Sequence, residues 1–566
     1  LIGRPGISQG DFNSFRDARN SAAGKGPMKK TKRTIEIYDT TLRDGAQGAG
    51  VSFSGSSRLK LLQRLDQLGV HYIEGGYAAS SKRDMAFFRE ARKLRLSHAK
   101  LAAFGSTRRR GVRVSADDGV RLLLEAGTPV VTIVGKSSEL HVRDVLKTGR
   151  KENLAMISDT VRYLKERGRQ VFFDAEHFFD GYKAGAEFAM ATLRAAVDAG
   201  CDGVVLCDTN GGMLPHEVFG ITSAVTAALD LPVGIHTHDD GGMAAANSVE
   251  AVRAGASQVQ GTVNGYGERC GNANLCTILP TLVLKMKKTC MSAQKLKELR
   301  DVSVFVDELL NLRPASRQPY VGVNAFAHKG GMHVNAIQKN PCTFEHVKPE
   351  SVGNRRQVLL SEGSGKSSVL LKAVELGVGG VRKSSEELRE ILKSLKDLES
   401  KGYAYEAADA SFRILVKKLL KKHKPFFELE GFRVIVEKRG KDEPCLSEAT
   451  IKVRVKDEVA HTAGEGNGPV DALDHALRKA LVRFYPEIAE VVLTDFKVRI
   501  LDPEEATAAT TRVLIESSDG ESSWGTVGVS HNIIEASWEA LVDSMEYRLF
   551  KEEEKAAKSR KRRRKA

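Results

Sequence analysis

The sequence predicts an α/β protein: a (β/α)8 barrel, then a helical linker region, then a separate C-terminal α+β domain. Three observations predict it. A short β-branched run followed by an amphipathic stretch recurs eight times between residue 35 and about residue 287. Alternating strands and helices build a parallel sheet with right-handed crossovers, and eight units are the count at which such a sheet closes. The strands are near-continuous apolar runs, as expected when both faces are buried. After residue 426 the pattern shifts to short alternating strands, in an order that occurs twice.

The elements follow in order. Residues 1–33 are rich in Gly, Ser, Lys and Arg and show no apolar periodicity, so they read as a disordered basic leader, with Met28 as the expected true start. The barrel, 34–287, takes its strands from 35–39, 71–77, 100–105, 130–135, 170–176, 203–208, 233–238 and 257–263. Segments such as RLKLLQRLDQLG (58–69) have helical spacing and end in Gly. Residues 288–425 are mostly helical and complete the site, with a Gly-containing break at 326–333, and 383–402 reads as an exposed amphipathic helix. In 426–550, strands at 432–437 and 451–456 precede a Gly-rich turn and a helix over 464–481; strands at 491–501, 511–517 and 524–530 then precede a helix from about 532. This reads as a βββα-like unit used twice. Residues 551–566 read as a disordered basic tail.

With 41% hydrophobic and 28% charged residues, the chain is neither wholly disordered nor a multi-span membrane protein. It has no run of about eighteen apolar residues. The net charge of +15 invites a nucleic-acid reading, but it sits at the ends: residues 1–33 hold eight basic and two acidic residues, and 555–566 hold eight basic and none acidic. The body between is close to neutral, so nucleic acid is not expected as the main partner, and no membrane partner is expected. Seven cysteines without a C-x-x-C pair fit a reducing cytoplasm.

In a parallel barrel the chemistry sits where strands end. Strand one leads into Arg43 and Asp44, and strand two carries Glu74. Strand five ends in Asp174 and Glu176, strand six in Asp208 and Thr209, and strand seven in His236-Thr-His238. Strand eight leads into Asn264, Glu268, Arg269 and Asn272. At strand spacing, His236 and His238 point to one side. With Asp44 and the Asn272 amide oxygen they form a mixed N/O set suited to a divalent metal, Zn, Mn or Mg. Two histidines merely lining a barrel end is the bland alternative. Arg43 beside a metal suggests stabilisation of a developing enolate or alkoxide, and an ion pair with Glu74 is compatible with that role. Glu176 is a candidate general base and Glu268 a candidate second acid or base, each against an ordinary salt-bridge role.

TTLRDG-x-Q (40–47), CDTNGG (207–212), HTHDDGGMA-x-AN (236–247) and NGYGERCGN (264–272) together strongly resemble the metal-dependent acyl-CoA condensing enzymes of the DRE-TIM metallolyase superfamily. These are the 2-isopropylmalate, homocitrate and citramalate synthases, in one superfamily with the hydroxymethylglutaryl-CoA lyases. The resemblance runs over about 34–550, and IEGGYAAS (73–80), FFDAEHFFDGYK (172–183) and HKGGMHVNAIQKNP (328–341) are most similar to the citramalate synthase branch. It implies a TIM barrel with a C-terminal regulatory domain that binds an amino-acid end product, isoleucine, and helps form a homodimer. It implies condensation of acetyl-CoA with pyruvate and hydrolysis of the thioester, opening a threonine-independent route to isoleucine. Carried over by position, it makes Asp44, His236 and His238 metal ligands with Asn272 near or among them. Arg43 polarises the reacting carbonyl and is held by Glu74; Thr209 binds the oxo-acid carboxylate; Glu176 deprotonates the acetyl methyl; His333 is a helper histidine from the post-barrel region. Relatives often carry Tyr shortly after that histidine, where this chain has Phe344.

Other features are weaker. GSGKSS (363–368) lacks the first Gly of a phosphate loop, since residue 360 is Leu. Cys207 and Cys270 lie near the proposed site but read as small packing residues. The same chemistry on a larger oxo acid, as in 2-isopropylmalate or homocitrate synthesis, is the first rival reading. A cleaving lyase is the second, and a nucleic-acid-associated protein led by its basic ends is the third.

Overall fold

The computed structural model describes residues 34–79, 81–359, 369–370, 372, 386–405 and 407–563. The leader and the GSGKSS segment lie outside the described residues. The chain divides into two compact units, one of residues 1–325 and 347–355, the other of 326–346 and 356–566. The stretch 288–425 is thus shared between them.

The first unit is the expected barrel. Eight parallel strands close in sequence order: β1 (Glu36–Asp39), β2 (Tyr72–Tyr77), β3 (Lys100–Ser106), β4 (Val130–Lys136), β5 (Gln170–Glu176), β6 (Gly203–Asp208), β7 (Val233–Thr237) and β8 (Gln258–Gly261). Closure pairs Glu36 with Gln258 and Asp39 with Gly261. The crossover helices start where their sequences offer a cap. Ser54 and Ser81 accept from Ser57 N–H and Asp84 N–H, and Asp117 accepts from Val120 N–H. The helix Gly55–Leu68 stops at Gly69, whose φ of 92° is left-handed. Inside the barrel, Tyr38, Tyr72 and Phe172 form an aromatic floor with ring centroids 5.1–6.2 Å apart.

The second unit begins with β9 (Ala327–His328), which pairs with β10 (Gln357–Val358). It continues with two antiparallel sheets, each of three strands and each followed by a helix. The first is β11 (Glu428–Glu437), β12 (Leu446–Val455) and β13 (Glu458–Gly466), with the helix Pro469–Leu481. The second is β14 (Val492–Ile500), β15 (Thr511–Ser518) and β16 (Ser523–Ser530), with the helix Ile533–Arg563. Leu473, Leu477, Leu541 and Met545 of these helices join Ile451, Val453, Val513 and Ile515 of the sheets in one core. Gly464 lets the first helix lie directly on β13: a Cβ there would come 2.6 Å from Ala476 N.

Two expectations need correction. The helix Glu386–Ser400 is not simply exposed; Leu388, Ile391 and Leu395 are buried with Phe412, Val416 and Val527, because the second sheet offers its apolar stripe a partner. The tail from 551 is not disordered over its length, since the last helix continues to Arg563. Its EEEKAAK run is made of strong helix formers, and Arg548–Glu552 and Arg413–Glu554 ion pairs tie its start down. Among the described residues no helix is long and apolar enough to cross a membrane.

Candidate active site

Side chains two apart on a strand share a face, so each barrel strand climbs from floor to rim. On β5 the climb is Phe172, Asp174, Glu176. On β1 and the turn after it, Tyr38 lies below Arg43 and Asp44.

At the rim, Asp44, His236 and His238 come together, all buried, with one ligand atom from each inside a 4.8 Å span. Asp44 Oδ2 lies 3.2 Å from His236 Nε2 and 4.0 Å from His238 Nε2, and the two Nε2 atoms are 3.4 Å apart. His236 Nδ1 donates to Gln260 Oε1 at 2.9 Å, while Gln260 Nε2 donates to Asp174 Oδ1 at 3.2 Å. That partner fixes the His236 tautomer with the Nε2 lone pair facing Asp44, as ligand histidines require. Asn272 pairs through its backbone with His238, and its buried Oδ1 has no protein partner. Burial pushes the Asp44 carboxyl up, but Arg43 and then the two histidines outweigh it and hold it well below the usual carboxylate range. Burial and the neighbouring His236 pull His238 down to about 4. An ionised carboxylate and a neutral imidazole are the forms that bind a divalent ion, so the residues present fit one.

Arg43 stands against this trio. Its Nε donates to Glu74 Oε2, its Nη1 lies 3.2 Å from Asp44 Oδ2, and its guanidinium carbon sits 3.9 Å from the Phe104 ring centroid. Glu74 is fully buried and accepts a second bond, from Tyr38 Oη at 2.9 Å; Tyr38 Oη in turn shares 2.7 Å with Thr132 Oγ1. A cleft of about 320 Å3 opens beside Arg43, lined among others by Gln47, Ser52, Tyr77 and Arg83. Tyr38→Phe strips the buried Glu74 carboxylate of a donor. It should cost about 1.5–3 kcal/mol of stability, the range for a hydrogen bond to a charged group. A lower urea midpoint at unchanged slope is the readout.

The opposite side of the rim carries Glu176, ion-paired with Lys136 at the end of β4. His177 follows in the left-handed region at φ 55°, and its N–H donates to Thr209 Oγ1 at 2.9 Å. Glu268 is not brought to the trio: its side chain is 59% exposed and its ion pair is with the adjacent Arg269, because the loop after β8 turns it outward. His333 lies in the second unit, on the helix Gly331–Lys339, where its ring stacks on Phe344 at 4.1 Å. Sequence reasoning missed Gln260, Tyr38 and Lys136. For Gln260 a signal existed, since Gln258 and Gln260 recur at strand spacing in an otherwise apolar run.

Residues 34–306 match the HMGL-like family, 320–403 the homocitrate synthase post-HMGL domain-like family, and 406–549 the LeuA allosteric (dimerisation) domain. The chain is 53% identical to an (R)-citramalate synthase of Geobacter sulfurreducens, across 92% of this chain and 98% of that one. It is 51% identical to one of Aquifex aeolicus, across the same shares. A 2-isopropylmalate synthase of Methanocaldococcus jannaschii is 31% identical, across 92% of this chain and 95% of that one.

Proposed function

The chain belongs to the (R)-citramalate synthase family, and from that premise we propose how its own residues carry out the reaction. As a transferase of this family it condenses acetyl-CoA with pyruvate and hydrolyses the thioester, giving citramalate and CoA. Identity of 43–53% to five citramalate synthases over 91–92% of the chain carries the assignment.

Asp44, His236 and His238, with Asn272, would hold a divalent ion, which supplies Lewis acidity toward the oxo-acid carbonyl. Thr209 Oγ1 accepts from His177 N–H, so its own hydroxyl hydrogen is left to donate to the acceptor's carboxylate. Arg43 gives Nε to Glu74 and Nη1 to Asp44, which leaves Nη2 for the oxygen on which charge develops. Burial lowers the Arg43 pKa, but Glu74 and then Asp44 outweigh it, so this donor stays charged at any working pH. Glu176 removes a methyl proton from acetyl-CoA, and the resulting carbon nucleophile attacks the oxo carbon. The family resemblance gives His333, whose ring stacks on Phe344, a helper role.

The LeuA allosteric (dimerisation) domain match supports a homodimer with a regulatory C-terminal domain, and isoleucine, the end product of this route, is the effector we propose for it. Seven unpaired cysteines support a cytoplasmic location. The decisive assay is free-thiol release from acetyl-CoA with pyruvate, 2-oxobutyrate, 2-oxoisovalerate and 2-oxoglutarate. Pyruvate should give the highest kcat/KM; preference for 2-oxoisovalerate would replace this reading with 2-isopropylmalate synthesis.

A further inference from the structure

We propose that Lys136 is a second catalytic residue: its ammonium binds the thioester oxygen of acetyl-CoA while Glu176 removes the methyl proton. The proposal rests on the assignment of Glu176 as the base.

The chemistry requires two separate electrophiles. A thioester methyl is weakly acidic, and a carboxylate removes its proton only if the charge growing on the carbonyl oxygen meets a preorganised donor. Arg43 and the Asp44–His236–His238 trio face the oxo acid, so the acetyl group needs a donor of its own on the side of the base.

The rim places one there. Lys136 and Glu176 end adjacent strands and are register partners. Lys136 Nζ is ion-paired with Glu176 Oε2. Asn153 Nδ2 donates to the Lys136 carbonyl at 2.9 Å and anchors the strand end. The two side chains are 21% and 24% exposed, so a ligand can reach both. An ammonium has three N–H donors, so Lys136 can keep one on Glu176 and aim another at the substrate. The neighbouring groups do not compete for this role. His141 and His177 stack on each other at 3.7 Å, and burial, then His177 and Lys136, push His141 down toward its neutral form. Thr209 faces the acceptor. Lys136 is therefore the cation beside the base.

In the step, a methyl C–H bond breaks and the proton goes to a Glu176 oxygen. The bond's electron pair becomes the enolate C=C, and the charge on oxygen is held by Lys136 N–H. Nothing is oxidised or reduced.

The test uses the full chain and reads deuterium uptake from D2O into the acetyl-CoA methyl, with oxamate in the acceptor site, alongside kcat and KM. Lys136→Met should slow exchange and kcat by about 100-fold or more, with the pyruvate KM changed less than about threefold, the pattern for a donor used only in the transition state. Added ethylamine should restore part of the rate to Lys136→Ala, which loss of a structural ion pair would not allow. Unchanged thermal melting confirms that the variants fold. Exchange and kcat within about threefold of the parent in Lys136→Met would overturn the proposal, and if Glu176→Gln loses exchange at the same time, the base assignment survives alone. The reverse result, normal exchange in Glu176→Gln with loss in Lys136→Met, upholds the lysine and refutes the base.

Discussion

His236→Ala should lose bound metal and turnover together. His236 is the central member of its trio: Nε2 lies 3.2 Å from Asp44 Oδ2 and 3.4 Å from His238 Nε2, while Nδ1 is held by Gln260. Its removal leaves one carboxylate, one imidazole and the neutral Asn272 amide, a set too weak to retain a divalent ion against solvent. Outer partners alone are worth about 10- to 100-fold in metal affinity, so Gln260→Leu should fall between parent and His236→Ala. Loss of a Lewis acid worth several kcal/mol corresponds to a rate loss of at least about 1000-fold. Metal content by elemental analysis, circular dichroism and thiol release on the same preparation decide the matter. Full turnover in a metal-free His236→Ala preparation would remove the metal from the mechanism.

The barrel is legible because its strands are buried on both faces. Runs such as VVTIVG and GVVLCD leave no alternation to misread, and the Gly that follows most of the crossover helices marks the next strand. Strand β13, Glu458–Gly466, is harder to read: its Glu, Ala and Gly residues carry little strand propensity, and it is a strand because it pairs with β12 and lies under a helix. The ligand trio could be read from the sequence, since H-x-H at strand spacing converges on one point whatever surrounds it. The outward turn of Glu268 is not legible in the sequence, because position after a strand says nothing about which way the loop faces. Tyr38, Gln260 and Lys136 were passed over for a related reason. A polar residue within a strand reads as an ordinary face until the partner strands show that Glu74, His236 and Glu176 stand opposite.

Arg43→Lys should lower kcat by about 100- to 1000-fold with little change in KM, the cost of one transition-state donor. Lysine keeps the charge but not the fork. One ammonium cannot sit on Glu74, balance Asp44 and still present a donor toward the oxo-acid oxygen from the place where Phe104 backs the guanidinium plane. Glu74→Gln should fail differently. It removes the buried counter-charge of Arg43, and breaking a buried pair from one side costs about 3–5 kcal/mol. The stability loss should therefore be larger than for Arg43→Lys, with a fall in kcat added to it. If Glu74 acts on the chemistry only through Arg43, the double variant should lose little kcat beyond Arg43→Lys alone, since residues working as one unit are not additive. Multiplying losses in the double variant would mean that Glu74 has a separate role in the reaction. The hydrogen bond from Tyr38 to its other oxygen argues against that. With one oxygen on Tyr38 and the other on Arg43, Glu74 has no lone oxygen facing the cleft.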